Sequence, residues 1–122
     1  MILVDTSVWI DHFRSNDAVL ESLLGRGRVL THPFVIGELA LGTMRQRDAI
    51  LGALGDLPQA SVASDGEVRH VIARHVLTGS GIGYVDAHLL AAVRLTAALL
   101  WTRDKRLLAV ATRLSLAATP LP

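Results

Sequence analysis

Four acidic residues stand where an ordinary surface carboxylate would not be expected. Asp5 ends the apolar run "ILV" at 2–4, and Asp104 follows "LLW" at 99–101 in the stretch "LWTRD". Glu38 interrupts "FVIGELALG", and Asp86 falls in the first turn of the helical pattern "VDAHLLAAVRLTAA" at 85–98. A buried carboxylate is costly unless it is paired, protonated or neutralised by a cation. Convergence of all four would add mutual repulsion. Oxygen-only donors select a hard divalent ion, Mg²⁺ or Mn²⁺. An acidic centre with open coordination suits phosphodiester hydrolysis, because the ion activates water and stabilises charge on the phosphate. The spacing does not choose between one ion and two.

Each residue also has a plainer role. Asp5 and Asp86 can cap helices, Asp104 can begin one, and Glu38 can face solvent. The other seven of the eleven acids need no special chemistry. Asp17, Asp65 and Glu67 lie at helix starts, where negative charge is favourable. Glu21 and Asp48 suit solvated helix positions, Asp56 a loop, and Asp11 the polar face of the first helix. What sets Asp5 and Asp104 apart is that both follow apolar strand patterns.

The elements that must position these residues are legible as alternating strands and helices. Residues 2–4 read as a buried strand, and Thr6 or Ser7 can cap a helix through Phe13. Asn16 or Asp17 can cap a second helix through Leu24, before a turn at "GRG". Strand "RVLTH" at 28–32 leads into a helix that starts at Pro33 and ends by Gly42. A helix over 45–54 and a short strand within 57–62 follow. Ser64 with Glu67 predicts a capping box for a helix to about Leu77. Helices at 85–98 and 104–112, a strand at 99–101 and a last strand at 114–117 complete the pattern. This alternation predicts an α/β fold, three layers deep, around a mainly parallel sheet of four to five strands. In such sheets, ligands sit beyond the carboxyl ends of the strands, where Asp5 and Asp104 emerge.

The 122 residues are expected to form one domain. Hydrophobic residues make up 51%, which is high for a small monomer and leaves room for a partner-covered apolar surface. No apolar run reaches the ~20 residues of a membrane span, no signal peptide is evident, and no cysteine is present, so the cytoplasm is the expected compartment. Net charge is only +1, yet eleven of the twelve basic residues are arginine, the side chain suited to bidentate phosphate contacts. A GC-rich coding sequence would give the same bias. The five histidines read as structural or solvent-facing.

Taken together, "MILVDTSVWID" at 1–11, "VIGELALG" at 35–42, "GIGYVDAHLLAA" at 81–92 and "LWTRDKRL" at 100–107 resemble the PIN-domain nucleases, and among them the VapC toxins of toxin–antitoxin pairs. Each segment alone is weak; their shared order and spacing cover nearly the whole chain. The resemblance implies a Mg²⁺- or Mn²⁺-dependent endoribonuclease acting on structured RNA such as transfer RNA. It implies catalytic roles for Asp5, Glu38, Asp86 and Asp104. Asp5 and Asp86 would ligate the metal directly, with Glu38 and Asp104 acting through water or on a second ion. Thr6 and Thr102 match hydroxyl positions that orient the carboxylates. It also implies a homodimer and a VapB-type antitoxin as partner. Leu107 departs from the pattern, since relatives often carry an aromatic residue shortly after the last motif; a change in packing is expected there. Arg103, Lys105 and Arg106 around Asp104 are candidates to hold the RNA backbone. Two other readings fit an acidic pocket: a Mg²⁺-dependent phosphoacceptor or phosphohydrolase-like α/β domain, and a non-catalytic partner-binding module.

Overall fold

The computed structural model describes residues 1–118. In chain order the elements are β1 (Ile2–Val4), α1 (Thr6–Arg14), α2 (Ala18–Gly25), β2 (Val29–Leu30), α3 (Pro33–Ala40), α4 (Arg47–Asp56), α5 (Asp65–Arg74), α6 (Tyr84–Thr96), β3 (Leu99–Trp101) and α7 (Lys105–Arg113). The three strands are parallel and ordered β2-β1-β3, with Ile2 opposite both Val29 and Leu99. Successive side chains of a strand point to opposite faces. Leu3 and Val4 of β1 are both fully buried, so both faces of the sheet are covered. The α/β class and the parallel sheet are those predicted.

The sheet is narrower than the four to five strands expected. Segments 57–62 and 114–117 join it through single parallel bridges only, Thr31 to Gln59 beside β2 and Leu100 to Ala117 beside β3. Pro58 accepts from Thr31 N but has no N–H with which to extend the first pairing. Ser115 lies in the left-handed region at φ 60°, which breaks the extended backbone just before the second.

Local rules account for most helix starts. Pro33 occupies the first turn of α3, where a missing N–H costs nothing. Ser64 Oγ accepts from Glu67 N at 3.1 Å and Glu67 Oε1 from Ser64 N at 2.9 Å, the reciprocal capping box predicted. At α2 the cap is Asp17, which accepts from Leu20 N at 2.9 Å. At α1, Asp5 holds the cap position rather than Thr6 or Ser7, yet its side chain makes no capping bond. That carboxylate is turned elsewhere.

Helix α6 is the inner helix of the domain. Every residue from Ala87 to Val93 is buried, and the helix packs on α5 and β3. Its register is thereby fixed against the sheet, and Asp86, at its amino end, is held at the rim. Leu107 is fully buried in α7, so the departure from the aromatic pattern is a matter of core packing.

Candidate active site

Three chain segments leave the sheet at its carboxyl edge: Asp5 after β1, Thr31 and His32 after β2, and Thr102 after β3. Asp5 is only 6% exposed. Its Oδ2 accepts from Ser7 Oγ at 2.7 Å and from Thr102 Oγ1 at 2.8 Å. Thr102 Oγ1 in turn accepts from Asp104 N at 3.1 Å, and Ser7 Oγ accepts from Arg103 N at 3.0 Å. The turn carrying Asp104 is therefore sewn to Asp5 by two hydroxyls. Two bonds on one oxygen leave Oδ1 as the oxygen that makes no hydrogen bond among the described residues.

The other three acids are anchored in the same one-sided way. Glu38 Oε1 accepts from Thr6 Oγ1 at 2.8 Å. Asp86 Oδ2 accepts from Gly83 N at 3.1 Å, and Asp104 Oδ1 caps α7 by accepting from Leu107 N at 2.9 Å. Capping thus coexists with placement at the rim. Asp86 is half-buried, whereas Glu38 and Asp104 are exposed at the residue level.

The electrostatics join the four residues. Burial raises the Asp86 carboxyl above its ordinary value; the Gly83 amide opposes this, and the negative charges of Asp5, Asp104 and Glu38 push it up further. All four predicted acids therefore act on one small region. As they stand, no three acidic or histidine side chains among the described residues converge closely enough to grip one ion. The arrangement is a frame of carboxylates around a common space. Its donor chemistry fits a hard dication, since every donor is a carboxylate and each offers an oxygen without a hydrogen-bond partner. Such an ion would also offset the repulsion felt at Asp86.

Of the hydroxyls, Thr6 donates to Glu38 and Thr102 donates to Asp5. Ser7, offered by the sequence as a helix cap beside Asp5, touches Asp5, Thr102 and the Arg103 amide. Its signal in the sequence is the hydroxyl pair directly after Asp5.

The basic residues of "TRDKR" divide. Arg103 Nη1 donates to Asp11 at 2.7 Å and its Nη2 donates to Asp17, while the guanidinium lies 5.6 Å from the Trp101 ring centroid. These carboxylates hold the guanidinium more firmly protonated than usual, chiefly through the Asp11 bond. Arg103 thus ties the loop after β3 to α1 and the start of α2, and Asp11 is paired rather than simply solvated. Lys105 and Arg106 are exposed. The Arg106 stem crosses Gly81, where an added Cβ would come within 2.8 Å of Arg106 Cδ and φ is +84°. Only glycine suits both the conformation and the contact.

A second polar cluster lies beyond β2. His32 is fully buried at the cap of α3, its Nδ1 accepting from Phe34 N at 3.0 Å. Phe34 meets the His88 ring edge-on at 4.7 Å, and His88 Nε2 lies 3.3 Å from Asp65 Oδ1. Burial, with a smaller effect of His88, lowers the His32 pKa to about 4. His32 and His88 are thus buried parts of this cluster, whereas His70 is exposed.

A parallel sheet with acids gathered at its carboxyl edge defines an α/β domain, and the sequence profile of the PIN domain matches residues 2–113. The chain belongs to the PIN-domain family. Among curated proteins it is 54% identical over 108 residues to Ribonuclease VapC32 of two Mycobacterium tuberculosis strains, covering 88% of this chain and 87% of the relative. Among solved structures, FitAcB from Neisseria gonorrhoeae shares its fold at TM-score 0.63 and 17% identity, over 92% of this chain and 94% of that one. PAE2754 from Pyrobaculum aerophilum does so at TM-score 0.59 and 18% identity, over 93% and 88%.

Proposed function

We propose that this chain is a Mg²⁺- or Mn²⁺-dependent endoribonuclease and the toxin of a toxin–antitoxin pair, its single domain spanning residues 1–122. The observation that carries the reading is electrostatic. Asp5, Glu38 and Asp104 all act on the half-buried Asp86 at the carboxyl edge of the sheet. The 54% identity to proteins named Ribonuclease VapC32 supports RNA as the substrate.

Asp5 and Asp86 are the direct metal ligands in this reading, with Glu38 and Asp104 flanking them through water or on a second ion. The bound ion supplies positive charge against the phosphate being cut and lowers the pKa of the attacking water. The protein's part is orientation. Ser7 and Thr102 hold one oxygen of Asp5 and so aim the other into the site. Thr6 does the same for Glu38, and the Gly83 amide for Asp86. Lys105 and Arg106 face the RNA backbone. Arg103 keeps the rim assembled through Asp11 and Asp17. Structured RNA such as transfer RNA is the substrate class, a VapB-type antitoxin and a second copy of the chain are the partners, and the cytoplasm is the compartment.

The test is cleavage of a transfer RNA pool by partner-free protein. Activity is expected with Mg²⁺ or Mn²⁺ and none in EDTA. Asp5→Asn should lower the rate by more than ~100-fold while the fold survives. Undiminished cleavage by Asp5→Asn, or by wild type in EDTA, would overturn the proposal.

A further inference from the structure

A cleft of about 690 Å³ lies between α1 and the connection from α3 to α4. Glu38 lines it, so the cleft and the acid rim share a side chain. Phe13, Met44 and Ile50 are its apolar lining, Phe13 packing on the Trp9 ring at 5.9 Å, and Arg14 and Arg45 line it as well. The arginines in ion pairs among the described residues are Arg47 and Arg103. Arg14 and Arg45 are exposed, and neither guanidinium makes a hydrogen bond or ion pair among the described residues. Gln46, beside Arg45, holds a left-handed φ of 53°, a rare conformation for a residue other than glycine, and this bends the chain sharply at the cleft.

Two uncommitted guanidinium groups beside an aromatic and thioether lining suit a nucleotide. Guanidinium groups take phosphate oxygens in bidentate fashion, and a base can lie on an aromatic face. The shared Glu38 wall supplies the direction. A chain whose scissile phosphate lies among the acids passes Glu38 to enter the cleft.

We infer that this cleft seats a nucleotide flanking the scissile phosphate, with Arg14 and Arg45 on its backbone and Phe13 under its base. The inference rests on the ribonuclease reading. An acidic peptide is the competing occupant, and the test separates the two.

Binding of a fluorescein-labelled, mixed-sequence single-stranded oligoribonucleotide is measured by anisotropy on the Asp5→Asn background, where the RNA stays intact. Arg14→Gln with Arg45→Gln should weaken binding ~10- to 100-fold and lower the salt slope by about 1 to 2. Arg26→Gln with Arg28→Gln removes equal charge next to the opposite, amino edge of the sheet and should change affinity less than ~3-fold. On the cleavage-competent chain, the first pair should raise KM and leave kcat unchanged. Equal losses from both pairs, or no loss from the first, would overturn the inference. So would intact RNA affinity together with lost affinity for the antitoxin, which would assign the cleft to a protein. If the chain cuts no RNA yet the two pairs still differ in RNA binding, the ribonuclease reading fails and the nucleotide cleft stands.

Discussion

Two clusters at the same edge of the sheet handle buried polarity in opposite ways. Beyond β2, His32 is enclosed, and Phe34 and His88 continue the cluster edge to face. Burial there drives the imidazole to its neutral form, with a pKa of about 4. Beyond β1 and β3, burial likewise opposes charge at Asp86, but three further carboxylates surround it and each keeps one oxygen uncommitted. His32 lowers its desolvation cost by staying uncharged, although its Nε2 has no hydrogen-bond partner among the described residues. The second cluster cannot do so at neutral pH without gaining protons or a cation. The enclosed cluster belongs to the fold, whereas the open and repulsive one is where the proposed ion would bind.

The comparison can be broken at several points. The largest effect lies in the closed cluster. An unfolded histidine takes a proton near 6.5, whereas folded His32 takes one only near 4. The unfolded chain therefore binds more protons between these values. Stability is fully present above pH 6.5 and falls with pH, by about 3 kcal/mol at pH 4 for this residue alone. His32→Asn keeps a capping oxygen and removes the titration. Its urea-unfolding profile should show a flatter acid limb than wild type; an unchanged limb would assign acid sensitivity elsewhere.

In the open cluster, Thr102→Val deletes the donor to Asp5 and the acceptor for the Asp104 amide. Mg²⁺ affinity by calorimetry should fall about 10-fold or more. Thermal unfolding should fall by the ~1–2 kcal/mol of one buried, unsatisfied group. Loss of stability with unchanged Mg²⁺ affinity would make Thr102 purely structural.

The smallest effect is expected at the clamp that joins the rim to α1 and α2. Arg103 is partly exposed and its carboxylate partners are solvated to different degrees, so Arg103→Gln should cost no more than ~1 kcal/mol. The loss should shrink in high salt, as denaturant titration at two ionic strengths would register.

How much of this was legible in the sequence follows from how local each cause is. The apolar triplets of β1 and β3 each end in a polar residue, so the edge and its acids were readable. The capping box and Pro33 act within one helical turn and were readable too. The narrow sheet was not, because single-residue bridges depend on tertiary pairing next to Pro58 and Ser115 rather than on a local hydrophobic pattern. Arg103 resembled a phosphate contact in "TRDKR", but its partners lie 92 and 86 residues away. Ser7 reaches Asp5 locally, but its contact with the segment after β3 exists only because Thr102, 95 residues on, comes beside it.

In the proposed function the acid rim is left electrostatically unsatisfied for a cation to complete. Sign follows from the raised Asp86 pKa. Its protonated form is favoured in the folded state, so its contribution to stability is present below the ordinary carboxyl pKa and lost as pH rises through the folded value. When charged, Asp86 opposes folding, and a bound dication should relieve it. The direct measurement is thermal unfolding of wild type and Asp86→Asn at neutral pH, each with EDTA and with Mg²⁺. Wild type should gain about 2.7 kcal/mol at a Mg²⁺ concentration 100 times its Kd. Asp86→Asn should be at least as stable as wild type in EDTA and gain far less from the same Mg²⁺. Equal Mg²⁺ gains in both proteins, or a destabilised Asp86→Asn in EDTA, would contradict the account.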